Sequence, residues 1–531
     1  MKPKKFRYVD FAFFFCTFVG SLTLNYATQK SSMPNTDSNQ TDLFSDLLIR
    51  NQSLGYYNEL NDRYGIPIFG IRGLLNFGDR YYVPSVVPGI VVIRAVFNFI
   101  RLPTFLINPI FVFLGLFFFK RIASTYIFHD RFWSSFATAI YFFSGAFLYA
   151  SSLPFKDLVA TSTFFGGLYY LLNGIREQKK TDLMLFGLLA GVTMWLCYPN
   201  PVFYLPAALL YVADAKSGIS KRDNLKKLVA SLITFLLLFG PLCFYQITLF
   251  GGFLNFNNPI LRLNHYEAFN TIDGSSIGSF ILDIDGAKLL DNFYNQFFLV
   301  NPLMISLSIL GLFCFILDVG KRKMNKVLLA MLIIVAMQVL FYLGKDWSGV
   351  FYKGSVGTSY SRYLLISWGV LITLSVYAVS RLALRKPIII LLCIYLTFSG
   401  LATGLYTQMA LESWIYTGEW AYRLRNDIAE NTPQNSVIFT SFYDKYIYPA
   451  RQTAIYVAIP KEERVEKTIW LMKELLEDGY SVYIVDERDE YAISPVGNRD
   501  VFTENGLEAE RAFGIFYRIV ISNSPNGTEK T

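Results

Sequence analysis

Residues 28–50 of the chain read TQKSSMPNTDSNQTDLFSDLLIR, directly after an apolar run from about Phe11 to Ala27. Before that run the amino terminus carries Lys2, Lys4, Lys5 and Arg7. A basic start, one apolar segment of spanning length and then an acidic, amide-rich stretch is how a chain threaded through a bilayer begins. The stretch lacks a small-residue cleavage site, so the first segment is read as a retained helix rather than a signal peptide. The polar interruption runs on to about Pro88 and holds Asp37, Asp42, Asp46, Glu59, Asp62 and Asp79.

Outward from this stretch, apolar segments recur near 102–119, 132–152, 154–173, 182–198, 200–213, 227–247, 297–317, 326–344, 361–380 and 387–406. With the first they predict an α-helical polytopic membrane protein of about eleven transmembrane helices. Composition agrees, since 53% of the 531 residues are hydrophobic, 17% aromatic and only 17% charged, too apolar for an ordinary soluble protein. The net charge of +8 does not imply nucleic-acid binding. Its cations cluster in short loops: Lys120, Arg121 and Arg131; Arg176, Lys179 and Lys180; Lys216 to Lys227; Lys321 to Lys326; Arg381, Arg385 and Lys386. By the positive-inside rule these loops share the cytoplasmic side with the amino terminus, which leaves the C-terminus outside. The sequons at Asn39, Asn51 and Asn526 all fall on the predicted outer side.

The polar mass is therefore extracytoplasmic: the first outer loop (28–88), a loop near 248–296, another near 345–361, and a tail. The organisation expected is a transmembrane domain over 1–406 and a small extracytoplasmic α/β domain over 407–531. In the tail, Ser436 to Thr440, Ser481 to Asp486 and Gly514 to Ile521 read as strands, with an amphipathic helix from Glu462 to Glu477 that stops at Gly479. The short cytoplasmic loops leave no room for a nucleotide-binding domain. The five cysteines lie within apolar segments and imply neither a disulfide framework nor a metal site.

Acids at the ends of membrane helices are costly unless solvated or paired, and so suggest function. Asp157, after Pro154 and beside Lys156, is the clearest, its bland alternative being an interfacial ion pair. In the run from Asp37 to Arg50, Leu43, Phe44, Leu47 and Leu48 have the spacing of a short helix lying on the membrane surface, with Asp42 and Asp46 among its polar residues. Ile90 to Ile100, which carries Arg94, is too short to span and is expected to be interfacial or re-entrant.

The order of a basic start, one span, an acidic loop ending in GDRYYVPSVVPG (Gly78 to Gly89) and aromatic-rich spans resembles the GT-C type membrane glycosyltransferases. The likeness is to the family of protein O-mannosyltransferases and lipid A aminoarabinose transferases. It covers about residues 1–210, with an echo at Tyr360-Ser-Arg362-Tyr363. The resemblance implies a polyprenyl-phosphate sugar as donor, an acceptor on the extracytoplasmic face, and an acid in the first outer loop as general base. It places Asp37 at the family's first loop acid and Ser38 where a Glu is common, so Asp42 and Asp46 stay open as the base. Asp157 matches the acidic position where the second outer loop enters the next span. For the lipid phosphate the candidates are Arg362, with Lys353 near it in sequence, and Arg72 and Arg80, with Tyr81 and Tyr82 beside them. No cofactor is implied with certainty; Asp283 and Asp285 are candidate oxygen ligands for a divalent metal, on spacing alone. The alternatives are a polytopic transporter or lipid scramblase, for which the Pro199-Asn-Pro201 break is the best feature, and a non-catalytic relative that binds glycan or protein.

Overall fold

The computed structural model describes residues 8–30, 36–66, 68–70, 74–77, 81–84, 87–153, 156–214, 221–250, 284–344, 353–382, 384–407, 410–459, 461–487 and 493–522. The apolar segments expected to span are largely helical where described, but 132–152 divides into the helices Arg131–Phe142 and Gly145–Ser152, and 297–317 is interrupted between Phe298 and Pro302. Among the described residues, five helical stretches are long and apolar enough to cross a membrane: Thr104–Ile127, Lys156–Glu177, Pro302–Gly320, Lys326–Leu343 and one that begins at Lys386. Ala12–Thr28, Val229–Tyr245 and Leu365–Arg381 are shorter apolar helices. The segment expected to be interfacial is the helix Pro88–Phe99, started by a proline at its first position, where the missing N–H has no partner to lose.

The described residues form two compact units. One comprises residues up to Lys30 and from Val87 to Tyr416; the other comprises the first outer loop, 31–86, and the tail from Thr417. Where a division was expected at 406/407, the units part at 416/417, inside the helix Leu411–Asn431. The first loop, expected to belong with the spans, groups with the tail because their backbones pair. Phe69 bridges to Ala454, and Gly70 N–H donates to Thr453 O at 3.0 Å.

In the helical unit, close helix packing replaces the hydrophobic effect, which is weak between helices in lipid. Pro302–Gly320 lies against Leu365–Arg381 through a polar seam: Ser308 Oγ sits 2.8 Å from Ser375 Oγ, and Ser375 Oγ donates to Met304 O at 2.8 Å. Gly311 lets the backbones touch, because a Cβ there would collide with the Leu374 carbonyl. At one end of the same pair Arg381 donates to Asp318 at 2.6 Å. Cys197 is buried and Cys16 exposed, and all five cysteines are free.

The second unit is built on a five-stranded sheet in the order Gln452–Ile455, Ser436–Thr440, Ser481–Val485, Phe516–Ile521, Leu507–Phe513. The first three strands are parallel and the last two antiparallel to their neighbours. The helix Arg464–Glu477 buries Ile469, Leu471, Met472 and Leu475 against it. It ends where expected, at Gly479 with φ +82, a left-handed conformation that favours glycine. Ile68 and Phe69 of the first loop sit in the same apolar core as Val437, Phe439, Val482 and Ile484. Glu487, just past the strand Ser481–Val485, accepts from Thr440, Ser441 and the Phe442 N–H. Burial raises its pKa, while hydrogen bonds from Ser441 and Thr440 pull it back. The loop also has a three-stranded antiparallel sheet, Tyr56–Tyr57, Tyr81–Pro84 and Leu74–Phe77, in that order.

Replacing Gly311 by Val should therefore force the two helices apart, at a cost of ~1–3 kcal/mol or more. Gly240→Ala, where nothing lies within 4 Å, should leave stability within about 1 kcal/mol of wild type. Thermal unfolding of the detergent-solubilised protein measures both.

Candidate active site

Asp157 stands in the first turn of the helix Lys156–Glu177, where the partial positive charge of the helix N-terminus favours a carboxylate. It is 4% exposed. Its Oδ2 lies 3.6 Å from Arg362 Nη1, in an ion pair whose side chains are 3% and 13% exposed. That separation exceeds an N–H···O hydrogen bond, so the attraction is of charge rather than a tight fork.

The cation is held by its own turn. Thr358 caps the helix Ser359–Tyr363 that carries Arg362. Thr358 Oγ1 and Ser361 Oγ both donate to Gln296 Oε1, at 2.8 and 3.1 Å. Gln296 is fully buried in the π-helical turn Tyr294–Phe298, a local widening frequent at functional sites. Arg362 lies 5.8 Å from the Tyr363 ring, which stacks on Tyr342 at 5.2 Å. The Tyr342 hydroxyl is 3.8 Å from Cys197 Sγ.

The acid's helix is fixed as firmly. Val159 and Ala160 share an apolar cluster with Ile90 of Pro88–Phe99, Ile107 and Leu196. The preceding turn is tied down by amides and hydroxyls: Asn25 Nδ2 donates to Ser151 O at 2.6 Å, Thr28 Oγ1 to Ser152 O at 2.7 Å, and Asn108 Nδ2 to Leu153 O. Of the residues singled out in the sequence, Asp157 and Arg362 are thus brought together. Lys353 is exposed in the turn before Gly354. Gln296, Tyr342 and Asn108 were missed; the signal available was a polar side chain inside an apolar helical segment, as in Asn295-Gln296.

The first-loop acids lie in the other unit. The helix expected from Asp37 to Arg50 is present as Thr36–Asn51, with Asp37 in its first turn. Asp42 and Asp46 are exposed, and Asp46 pairs with Arg50 at 3.2 Å. Burial lowers the pKa of the Arg425 guanidinium, and the charge of Asp42 opposes that. Burial first, then the charges of Tyr56, Asp42 and Asp46, raise the Tyr448 phenol. Asn39 of the first sequon is 8% exposed and donates to Lys445 O at 3.1 Å, so the folded chain does not offer it for modification, whereas Asn51 is exposed. The face expected to rest on lipid is partly enclosed in protein, with Phe44 and Ser45 at 0% exposure.

Tyr81 and Tyr82 lie on the strand Tyr81–Pro84, in register with Tyr57 and Tyr56. Arg72, Arg80 and Asp283 lie outside the described residues, as does the turn at 78–80. Asp285 caps the helix Gly286–Phe293, accepting from the N–H groups of Ala287 and Lys288 at 2.9 and 3.2 Å. Among the described residues no group of three or more His, Cys, Asp or Glu is arranged to hold a metal.

This architecture is found in solved membrane glycosyltransferases. The chain is similar to ArnT from Cupriavidus metallidurans bound to undecaprenyl phosphate, with a TM-score of 0.57, 8% identity and coverage of 97% of this chain and 98% of that one. It is similar to the apo state of ArnT at 0.54 and 11% identity, over 96% of each chain. It also matches the arabinofuranosyltransferase AftD from Mycobacteria, at 0.50 and 11% identity, over 96% of this chain but 41% of that one. No protein-family model matches the chain, and no curated protein matches it by sequence. The fold is that of the GT-C membrane glycosyltransferases, as the sequence resemblance implied.

Removing one member of a buried ion pair strands the other charge, typically at 3–5 kcal/mol, whereas an apolar pair of similar volume is often neutral. Arg362→Leu should therefore lower the unfolding temperature clearly, and Arg362→Leu with Asp157→Leu should restore most of the loss. A thermal-unfolding double-mutant cycle in detergent measures this coupling.

Proposed function

We propose that the protein transfers a sugar from a polyprenyl-phosphate donor to an acceptor hydroxyl on the extracytoplasmic face of the cell membrane. The observation that carries this reading is the Asp157–Arg362 pair. A buried ion pair is a poor stabilising device, and the same guanidinium is well suited to a phosphate, which it can engage with two parallel N–H donors. Support comes from the shared fold, since ArnT carries undecaprenyl phosphate in its solved structure.

In this reading Arg362 receives the lipid phosphate and stabilises the charge that grows on it as the bond from the anomeric carbon to the phosphate oxygen breaks. Asp157 orients Arg362 and does not touch the reacting atoms. A first-loop acid takes the proton of the acceptor hydroxyl as its oxygen attacks the anomeric carbon. Asp37 holds that role by resemblance, with Asp42 and Asp46 behind it. Lys353, Arg72, Arg80, Tyr81 and Tyr82 are proposed as further donor contacts.

The test is to incubate the purified protein with a set of polyprenyl-phosphate sugars and follow donor consumption. Wild type should consume at least one donor. Arg362→Gln should lose at least ~100-fold in kcat/KM, the scale of one lost transition-state donor. Asp37→Asn should abolish transfer while leaving expression and membrane insertion intact; full transfer in that variant would pass the base role to Asp42 or Asp46. Movement of the donor lipid between leaflets with its sugar–phosphate bond intact would instead establish the scramblase.

A further inference from the structure

The helices Pro302–Gly320 and Leu365–Arg381 run parallel, because their contacts keep the same order along both: Ser308 with Leu371, Gly311 with Leu374, Asp318 with Arg381. They therefore end together. Along the helical stretch from Ser359, a rise of about 1.5 Å per residue sets Arg381 about 28 Å beyond Arg362, close to the thickness of the hydrocarbon core. The shared end of the two helices thus lies at the membrane interface opposite the Asp157–Arg362 pair.

Cations crowd that end. The acid there, Asp318, is already engaged: it accepts from the Tyr377 hydroxyl and from Arg381 Nη2, which also donates to the Tyr377 oxygen at 3.0 Å. Past it the helix Pro302–Gly320 closes on Lys321, Arg322 and Lys323, with the Lys323 N–H returned to Asp318 O at 2.8 Å. Arg322 takes φ +58 there, the left-handed position that glycine usually fills. Arg385 follows Arg381 by four residues, a reach of at most ~14 Å, and Lys386 comes next at the head of the helix Lys386–Tyr406. These five side chains are exposed, and none is ion-paired among the described residues.

The positive-inside rule asks only for cations in such loops. It does not ask for five unpaired ones at the end of one helix pair, or for an arginine where glycine is the unstrained choice. Like charges gathered within about 10 Å, the screening length of dilute salt, repel one another until an anion comes between them. The surroundings say which anion. Leu317, Met324, Leu382 and Ile388 are exposed beside the cations, and Phe313 and Ile316 continue that apolar surface along the helix. A nucleic acid or an acidic peptide would use the charges and leave the apolar surface uncovered. A phospholipid with net negative charge uses both, its phosphate on the cations and its acyl chains on the apolar side chains.

We propose that the shared end of these two helices binds an anionic phospholipid, its phosphate held by Lys321, Arg322, Lys323, Arg385 and Lys386. By relieving the repulsion among these cations the lipid holds the helix ends together and stabilises the fold as its occupancy rises. The site is distinct from the one proposed for the sugar donor, since it lies at the opposite end of the helices and involves neither Asp157 nor Arg362.

The experiment titrates the full chain, in dodecyl maltoside micelles, with dioleoylphosphatidylglycerol and with dioleoylphosphatidylcholine, reading bound lipid by native mass spectrometry and stability by thermal unfolding. The phosphatidylglycerol should bind at least ~10-fold more tightly than the phosphatidylcholine and should raise the unfolding temperature, each basic residue at an anionic lipid being worth roughly fivefold. Lys321→Gln with Arg322→Gln and Lys323→Gln should lose at least ~10-fold in phosphatidylglycerol affinity on the same scale. Arg322→Gly alone should lose ~5-fold, yet without lipid it should unfold at or above the wild-type temperature, because glycine adopts the left-handed turn freely. A comparison variant that removes as many cations from another basic turn, Arg176→Gln with Lys179→Gln and Lys180→Gln, should keep the affinity unchanged. Equal affinity for the two lipids would overturn the proposal. So would affinity retained by both the triple variant and Arg322→Gly, an equal loss in the comparison variant, which would mark a diffuse effect of charge, or displacement of the lipid by millimolar inorganic phosphate, which would mark a site for a soluble anion. Because no donor turnover is measured, failure here leaves the transferase reading standing, and failure of that reading leaves this one standing.

Discussion

Asp157 and Arg362 are two charges withdrawn from water, their side chains 3% and 13% exposed. Isolated, either would cost several kcal/mol, so the structure around them is organised to keep them together. On the acid's side the helix begins at Lys156 with its N-terminal dipole on the carboxylate, and the turn before it is tied to Asn25, Thr28 and Asn108. On the cation's side Gln296 holds the turn of Arg362 through two hydroxyls. The pair therefore fixes the heads of two helical segments that are distant in sequence, at the point where the proposed chemistry needs a rigid cation.

The fold was readable because its signals are long. An apolar run of about twenty residues has few meanings, and most of the described part of these runs is helical. In the tail, SVIFT and the segment from Ser481 contain four or more buried residues in succession, and both are strands. Gln452–Ile455 and Tyr56–Tyr57, at four and two residues, are too short for a pattern of alternation to develop. Leu507–Phe513 carries Glu508, Glu510 and Arg511 because it is an edge strand with one face in solvent.

The site was readable by residue and not by partnership. Asp157 and Arg362 each stood out as charges at the margin of an apolar segment, but nothing in the local sequence of either names the other. Gln296 was invisible for the opposite reason: it is uncharged, and its importance lies in what it fixes. The helix Thr36–Asn51 shows the same limit. Its spacing foretold a covered face, but amphipathicity does not say whether lipid or protein provides the cover, and Phe44 and Ser45 prove to be enclosed.

The pairing of Gly70 with Thr453 joins residues 383 positions apart. The first outer loop is made early in synthesis, yet Ile68 and Phe69 belong to a core completed by strands near the end of the chain. For most of translation that loop carries apolar residues with no native partner, a state prone to wrong association. Closing so long a separation is also entropically slow. The loop that bears the proposed base can therefore take its final shape only after the chain has been made through Ile519, whose side chain shares its core.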